Sequence, residues 1–276
     1  MSSLSKAPSY SGREAAKVAV ATNFYNDVFY NMNFPKRGLA LIFNHEQFEI
    51  PGLENRPESR IDRDALELRL RALEFEVEVL DDKRVEEIQD KISEVAFDVN
   101  HSDHDCLLVV IMTHGRCGIL TAKDGEYKFD DIWTNFTADK CPSLAGKPKI
   151  FITQACQGSK TQKMVTMERA EHDGSILNYT IPTHADFLFA HSTIPDYRAF
   201  RREGFGSWYI QSLCKELELN GRTHDFVTLL TFVSRRVAIE FRSYVPQIEA
   251  LNERKQTPCF VSVLTRLVKF TEKNPR

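Results

Sequence analysis

Apolar positions along this chain switch repeatedly between continuous runs and helical spacing. Gly38 to Asn44 (GLALIFN) is a continuous run, the pattern of a buried strand. A loop from Glu46 to Arg60 holds two prolines and a glycine, and beyond it Leu66, Leu70 and Leu73 mark the inner face of a helix. Phe75 to Leu80 alternates apolar with acidic residues, as a strand does. Asp81 and Asp82 then precede Val85, Ile88, Ile92, Val95 and Val99, spaced by three and four, an amphipathic helix with acid at its N-terminal end. Cys106 to Met112 and Lys149 to Thr153 are β-branched, apolar runs that read as central strands of a parallel sheet. Between them, Gly118 to Phe129 carries a Lys-Asp-Gly-Glu turn and reads as a small hairpin.

From Gln157 to about Thr183 no period is sustained, which marks an exposed linker over residues 159–183. Regular signals return at Asp186 to His191, with a helix starting near Ser207, and another with Phe226, Leu229, Leu230, Val233 and Val237 on one face. Cys259 to Leu264 forms a terminal strand. Strands alternating with helices predict an α/β fold of three layers, a mostly parallel central sheet between helices. The linker divides it into a larger part, residues 31–173, and a smaller one, 174–276. Residues 1–30, polar and rich in small side chains, read as a short mobile leader.

The 276 residues, 42% hydrophobic and 27% charged, are ordinary globular composition. A net charge of −3 gives no support to nucleic-acid or anionic-membrane binding. No signal-peptide core or membrane-spanning run is visible, so a cytoplasmic location is expected. The six cysteines, 106, 117, 141, 156, 214 and 259, lack CxxC pairing and suit reduced thiols better than a disulfide framework or a zinc site.

Two sites carry candidate chemistry. Ligands in open α/β sheets gather at the carboxyl ends of strands, and the two central runs end in Thr113-His114-Gly115 and Gln154-Ala155-Cys156. A cysteine nucleophile needs a nearby base, and the tetrahedral intermediate needs N–H donors for its oxyanion. Small residues flank both sites, letting a substrate backbone come close. Either residue alone is more readily a buried thiol or a structural histidine.

Gln154-Ala155-Cys156-Gln157-Gly158 resembles the signature of the caspase family, with the histidine 156 − 114 = 42 residues upstream against about 50 in that pattern. FPKRGLALIFN, MTHG, GKPKIFITQACQG, ADFLFAHST, GSWYIQSLC and QTPCFVSVLTRL extend the likeness from about Tyr30 to Phe270. The resemblance implies a cysteine endopeptidase that cleaves after aspartate, with Cys156 as nucleophile, His114 as acid and base, and the N–H groups of Gly115 and Cys156 holding the oxyanion. It implies a substrate pocket of Arg56, Gln154 and Arg201, with Phe200 and Trp208 as aromatic walls. Two guanidiniums on one carboxylate select aspartate by charge and reach. This chemistry requires no metal or organic cofactor.

The resemblance further implies that Asp173-Gly174 in the linker is a processing site of a zymogen. It implies an antiparallel strand at the C-terminal edge, through which a homodimer pairs. The short leader resembles that of an apoptotic executioner, activated by an upstream initiator caspase and restrained by inhibitor-of-apoptosis proteins. Arg198 stands where executioners usually carry an aromatic residue, which leaves the preferred tetrapeptide open. An inactive homologue that regulates an active caspase by pairing with it is the alternative, and retention of His114, Cys156, Arg56, Gln154 and Arg201 speaks against it.

Overall fold

A computed structural model of the chain describes residues 27–161, 183–202 and 204–273. Its elements run β1 (Leu39–Asn44), α1 (Ser59–Ala72), β2 (Glu76–Asp81), α2 (Val85–Ser93), β3 (Leu107–Met112), β4 (Gly115–Arg116), β5 (Ile119–Thr121), β6 (Glu126–Lys128) and α3 (Asp130–Trp133). They continue with β7 (Lys149–Gln154), β8 (Phe187–His191), β9 (Arg201–Arg202), β10 (Gly206–Ser207), α4 (Trp208–Asn220), α5 (Phe226–Glu240) and β11 (Cys259–Ser262).

The main sheet has six strands in the order β11-β8-β7-β3-β1-β2. All neighbours are parallel except β11, which runs antiparallel to β8 at the edge. The two runs read as central strands, β3 and β7, lie side by side in the middle and are buried along their whole length. Because side chains alternate across a strand, their apolar residues fill two cores. Ile42, Leu108, Val110 and Ile152 face α1, α4 and α5, while Leu41, Val109, Ile111 and Phe151 face α2 and the small hairpin region. That apolar demand on both faces is why these runs are continuous rather than alternating.

Two local differences from the sequence pattern have physical causes. The helix that begins at Val85 closes with a π-turn over Glu94–Asp98, and Val99 lies beyond it in extended backbone (ψ 127°). The extra residue of the π-turn carries Val95 and Ala96 inward and takes Val99 off the face that its spacing implied. The last residues of the stretch read as a mobile leader are also held by the fold. Phe29 pairs with Leu267, and Tyr30 is buried with its hydroxyl donating to Asp186 (2.8 Å). Residues 1–26 and 162–182, with Asp173 and Gly174, lie outside the described residues.

Candidate active site

The carboxyl ends of β3 and β7 deliver His114 and Cys156 to one cavity of about 170 Å³. The Thr113 N–H donates to the Gln154 carbonyl (3.0 Å), so the two strand ends stay in register as they leave the sheet. The Thr121 N–H donates to the His114 carbonyl (3.1 Å), which ties the imidazole's backbone to β5. Gly115 lies where the chain is crowded. A Cβ there would fall 2.7 Å from the Ile119 carbonyl oxygen and 3.3 Å from the Cys156 carbonyl oxygen.

The loop between β1 and α1 supplies two further parts. It folds on itself, with the Arg56 N–H donating to the Glu46 carbonyl (2.7 Å) and the Phe48 N–H to Asn55 Oδ1 (3.1 Å). This brings the Glu54 carbonyl to 2.7 Å from His114 Nε2, and the Phe48 ring to 4.9 Å from the imidazole. A carbonyl only accepts, so Nε2 carries the hydrogen and a neutral ring keeps its lone pair on Nδ1. Burial, with the charges of Arg56 and Arg201, holds His114 below the usual histidine range, against the opposing pull of the Glu54 hydrogen bond. The imidazole is thus neutral near pH 7, the form that can take a proton.

The same loop points Arg56 inward. Its guanidinium is buried, donates to the His45 carbonyl (2.7 Å), and is pushed down to about 10 by burial and by Arg201, so it stays charged at neutral pH. Gln154, buried, and Arg201, exposed and with its Nε 3.8 Å from Glu58, line the cavity with it. Cys156 Sγ lies 3.8 Å from the Ala199 carbonyl oxygen, so the segment before β9 borders the thiol. Burial pushes the thiols of Cys106, Cys141, Cys214 and Cys259 up, away from the reactive thiolate.

Phe200 lines the cavity, but Trp208 does not. Trp208 is only 4% exposed and stacks behind Phe200, with ring centroids 4.9 Å apart and planes at 21°, and against Phe241 beyond (5.4 Å). Its indole braces the wall rather than forming it, because the helix that starts at Trp208 turns the side chain into the core. Arg198 points away from this stack, its Nε donating to the Ser159 carbonyl (3.2 Å). Glu58, Asp62 and Ser207 also line the cavity and were not singled out from the sequence. Glu58, Asp62 and the Glu54 carbonyl carry no local motif. Only Ser207, a serine just before an apolar helical run, had a signal, and its hydroxyl caps α4.

A thiol and a neutral imidazole at adjacent strand ends, above a cavity walled by two arginines, define a thiol peptidase built on an α/β sheet. The caspase domain of the Peptidase_C14 family matches residues 37–269. Caspase drICE of Drosophila melanogaster is 50% identical over 88% of this chain and 73% of its own. Caspase-1 of Spodoptera frugiperda is 49% identical over 90% of this chain and 83% of its own. The crystal structure of the latter superposes with a TM-score of 0.87 at 46% identity, covering 93% of this chain and all of that one. The chain belongs to the caspase family. It is a caspase-type cysteine peptidase of the executioner-like, apoptotic kind.

Proposed function

We propose that this caspase cleaves peptide bonds after aspartate, with Cys156 as nucleophile, His114 as general acid and base, and Arg56, Gln154 and Arg201 as the aspartate pocket. The observation that carries the reading is that these five side chains line a single cavity. A substrate carboxylate between Arg56 and Arg201 relieves the repulsion of two cations held near one another, one of them buried. Phe200 supplies an apolar wall beside them, braced by Trp208.

The chemistry follows from the proton inventory. His114 Nδ1 takes the thiol proton and the sulfur bonds to the scissile carbonyl carbon, sending an electron pair to the oxygen, which the N–H groups of Gly115 and Cys156 receive. The carbon–nitrogen bond then breaks as Nδ1 returns its proton to the leaving amine. In the second half His114 deprotonates a water, which displaces the sulfur and frees the carboxylate product.

Activation is proposed to follow a cut at Asp173-Gly174 by an upstream initiator caspase, giving a large subunit, residues 31–173, and a small one, 174–276, with residues 1–30 as propeptide. A second copy would pair along β11, an edge strand whose Val261 is 55% exposed, with Val263 just beyond it 43% exposed. Cytoplasmic action on aspartate-bearing proteins, under inhibitor-of-apoptosis proteins, completes the reading. Among the described residues no helix is long and apolar enough to cross a membrane.

The test compares wild type with Cys156→Ala on peptides ending in aspartate, asparagine, glutamate or arginine, with mass spectrometry of the chain itself. Turnover of the aspartate peptide alone, with a cut after Asp173, both lost in the variant, is expected. A wild type that stays inert after the linker is opened by an added protease leaves the pairing, regulatory homologue instead.

A further inference from the structure

The proposed chemistry makes no use of Asp62, although its carboxylate is 2% exposed and lines the substrate cavity. A buried carboxylate is costly unless donors surround it. Here both oxygens accept from the Ser207 N–H (3.0 and 2.9 Å), and Oδ1 also accepts from Gln211 Nε2 (2.8 Å). Gly206, at φ 94°, makes this approach possible, since a Cβ there would fall 2.3 Å from Asp62 Oδ1. Ser207 is the register partner of Arg201 in the β9–β10 pair. Glu58, the N-cap residue of α1 four residues earlier, stands 3.8 Å from Arg201 Nε. One face of α1 therefore grips the hairpin that carries Arg201, and the loop just before α1 carries Arg56.

We infer that Asp62 is a positioning residue for the aspartate pocket: its carboxylate fixes the β10 backbone, and through it the Arg201 guanidinium, at a set separation from Arg56. The inference rests on the proposed role of the two arginines. Asp62 precedes the linker and Ser207 follows it, so the contact also locks the larger part of the chain to the smaller at the substrate cavity. Asparagine keeps one acceptor oxygen where the carboxylate has two and carries no charge: with that oxygen on Gln211 Nε2, its NH₂ is set against the Ser207 N–H, donor against donor.

The experiment compares Asp62→Asn, the exchange pair D62N/Q211E and Arg201→Gln in the full chain, with the linker opened. In the exchange pair the asparagine can turn its oxygen to the Ser207 N–H and its NH₂ to the carboxylate introduced at position 211, so each donor faces an acceptor and the negative charge is kept. KM and kcat on an aspartyl peptide are measured beside the alkylation rate of Cys156 by iodoacetamide, which needs no pocket. D62N is expected to raise KM by about 10-fold or more with kcat and alkylation near wild type, and Q211E to recover most of the loss. If Arg201→Gln raises KM while D62N does not, or if D62N lowers kcat and alkylation without moving KM, the positioning role is overturned. If Arg201→Gln itself leaves KM unchanged, the pocket reading has failed instead, and this inference with it. Should D62N not fold, Gln211→Met removes one donor and is expected to raise KM about 3-fold. An unchanged KM there overturns the role equally.

Discussion

Replacing Gly115 by alanine tests how tightly the site is built. The added methyl would sit 2.7 Å from the Ile119 carbonyl oxygen, where ordinary contact begins at 3.4 Å, so about 0.7 Å must be recovered. Neither neighbour yields freely. Ile119 is paired to Arg116 and to Lys128 in the small sheet, and the second contact, 3.2 Å away, is Cβ of Ala155 next to the nucleophile. The displacement falls on Gly115, whose N–H is proposed to face the oxyanion. Losing one such donor lowers kcat by about 10²- to 10³-fold, and misplacement by about 1 Å costs about 10²-fold. The proposed binding residues, Arg56 and Arg201, are not among the nearest neighbours of the added methyl. Steady-state kinetics on an aspartyl peptide should therefore show kcat down by at least about 10²-fold and KM within a few-fold, with iodoacetamide still alkylating Cys156. A variant with kcat within about 3-fold of wild type would refute the oxyanion role, and a loss confined to KM would move Gly115 into the binding pocket.

Arg201→Gln should do more than weaken binding. Its cation helps hold His114 below the ordinary histidine range, so its removal should move the acid limb of Cys156 alkylation to higher pH, with aspartyl kcat/KM down about 10- to 100-fold; an unmoved limb would refute the coupling. Acid should also destabilise the fold through buried imidazoles. His104, 4% exposed and sharing a 3.0 Å hydrogen bond between its Nδ1 and that of His101, is pushed down to about 4 by burial, as is His45. The folded pKa lies below the unfolded 6.5, so the unfolded state binds more protons. Stability is complete above pH 6.5 and is lost as pH falls toward 4, by about 2 kcal/mol per site at pH 5. His104→Gln should make urea unfolding less pH-dependent by about one proton across that window, and an unchanged slope would exclude His104 as a source.

The sheet was legible in the sequence because each central strand is buried on both faces, which forces a run such as Leu107–Met112 to be apolar at every position. His114 and Cys156 were legible because each closes such a run. What stayed hidden depends on backbone or on distant partners. The Glu54 carbonyl that orients His114 has no side-chain signature, and Asp62 looks like any acidic residue in the first turn of a helix until Ser207 is brought to it from 145 residues away. Trp208 was legible as an aromatic near the pocket but not as a brace behind Phe200, since its direction is set by the start of α4. Val99 went astray for a related reason: a π-turn adds a residue that no spacing rule anticipates.

The linker joins β7 to β8, and those strands are immediate neighbours, paired in parallel from Lys149 with Phe187 to Thr153 with His191. A cut between residues 161 and 183 breaks the covalent path without removing a rung of that ladder. The products would share one interior, with Ile150, Phe151, Phe187 and Leu188 all inaccessible to water, like a domain core divided between two chains. Dissociation would bare an apolar strand edge on each piece, so neither fragment has a soluble state of its own to fall into. The lasting change is kinetic: uncut, the chain refolds as a first-order process, whereas after the cut recovery requires two chains to meet and slows with dilution. A processed molecule that unfolds in dilute solution would be lost, while an intact one could return.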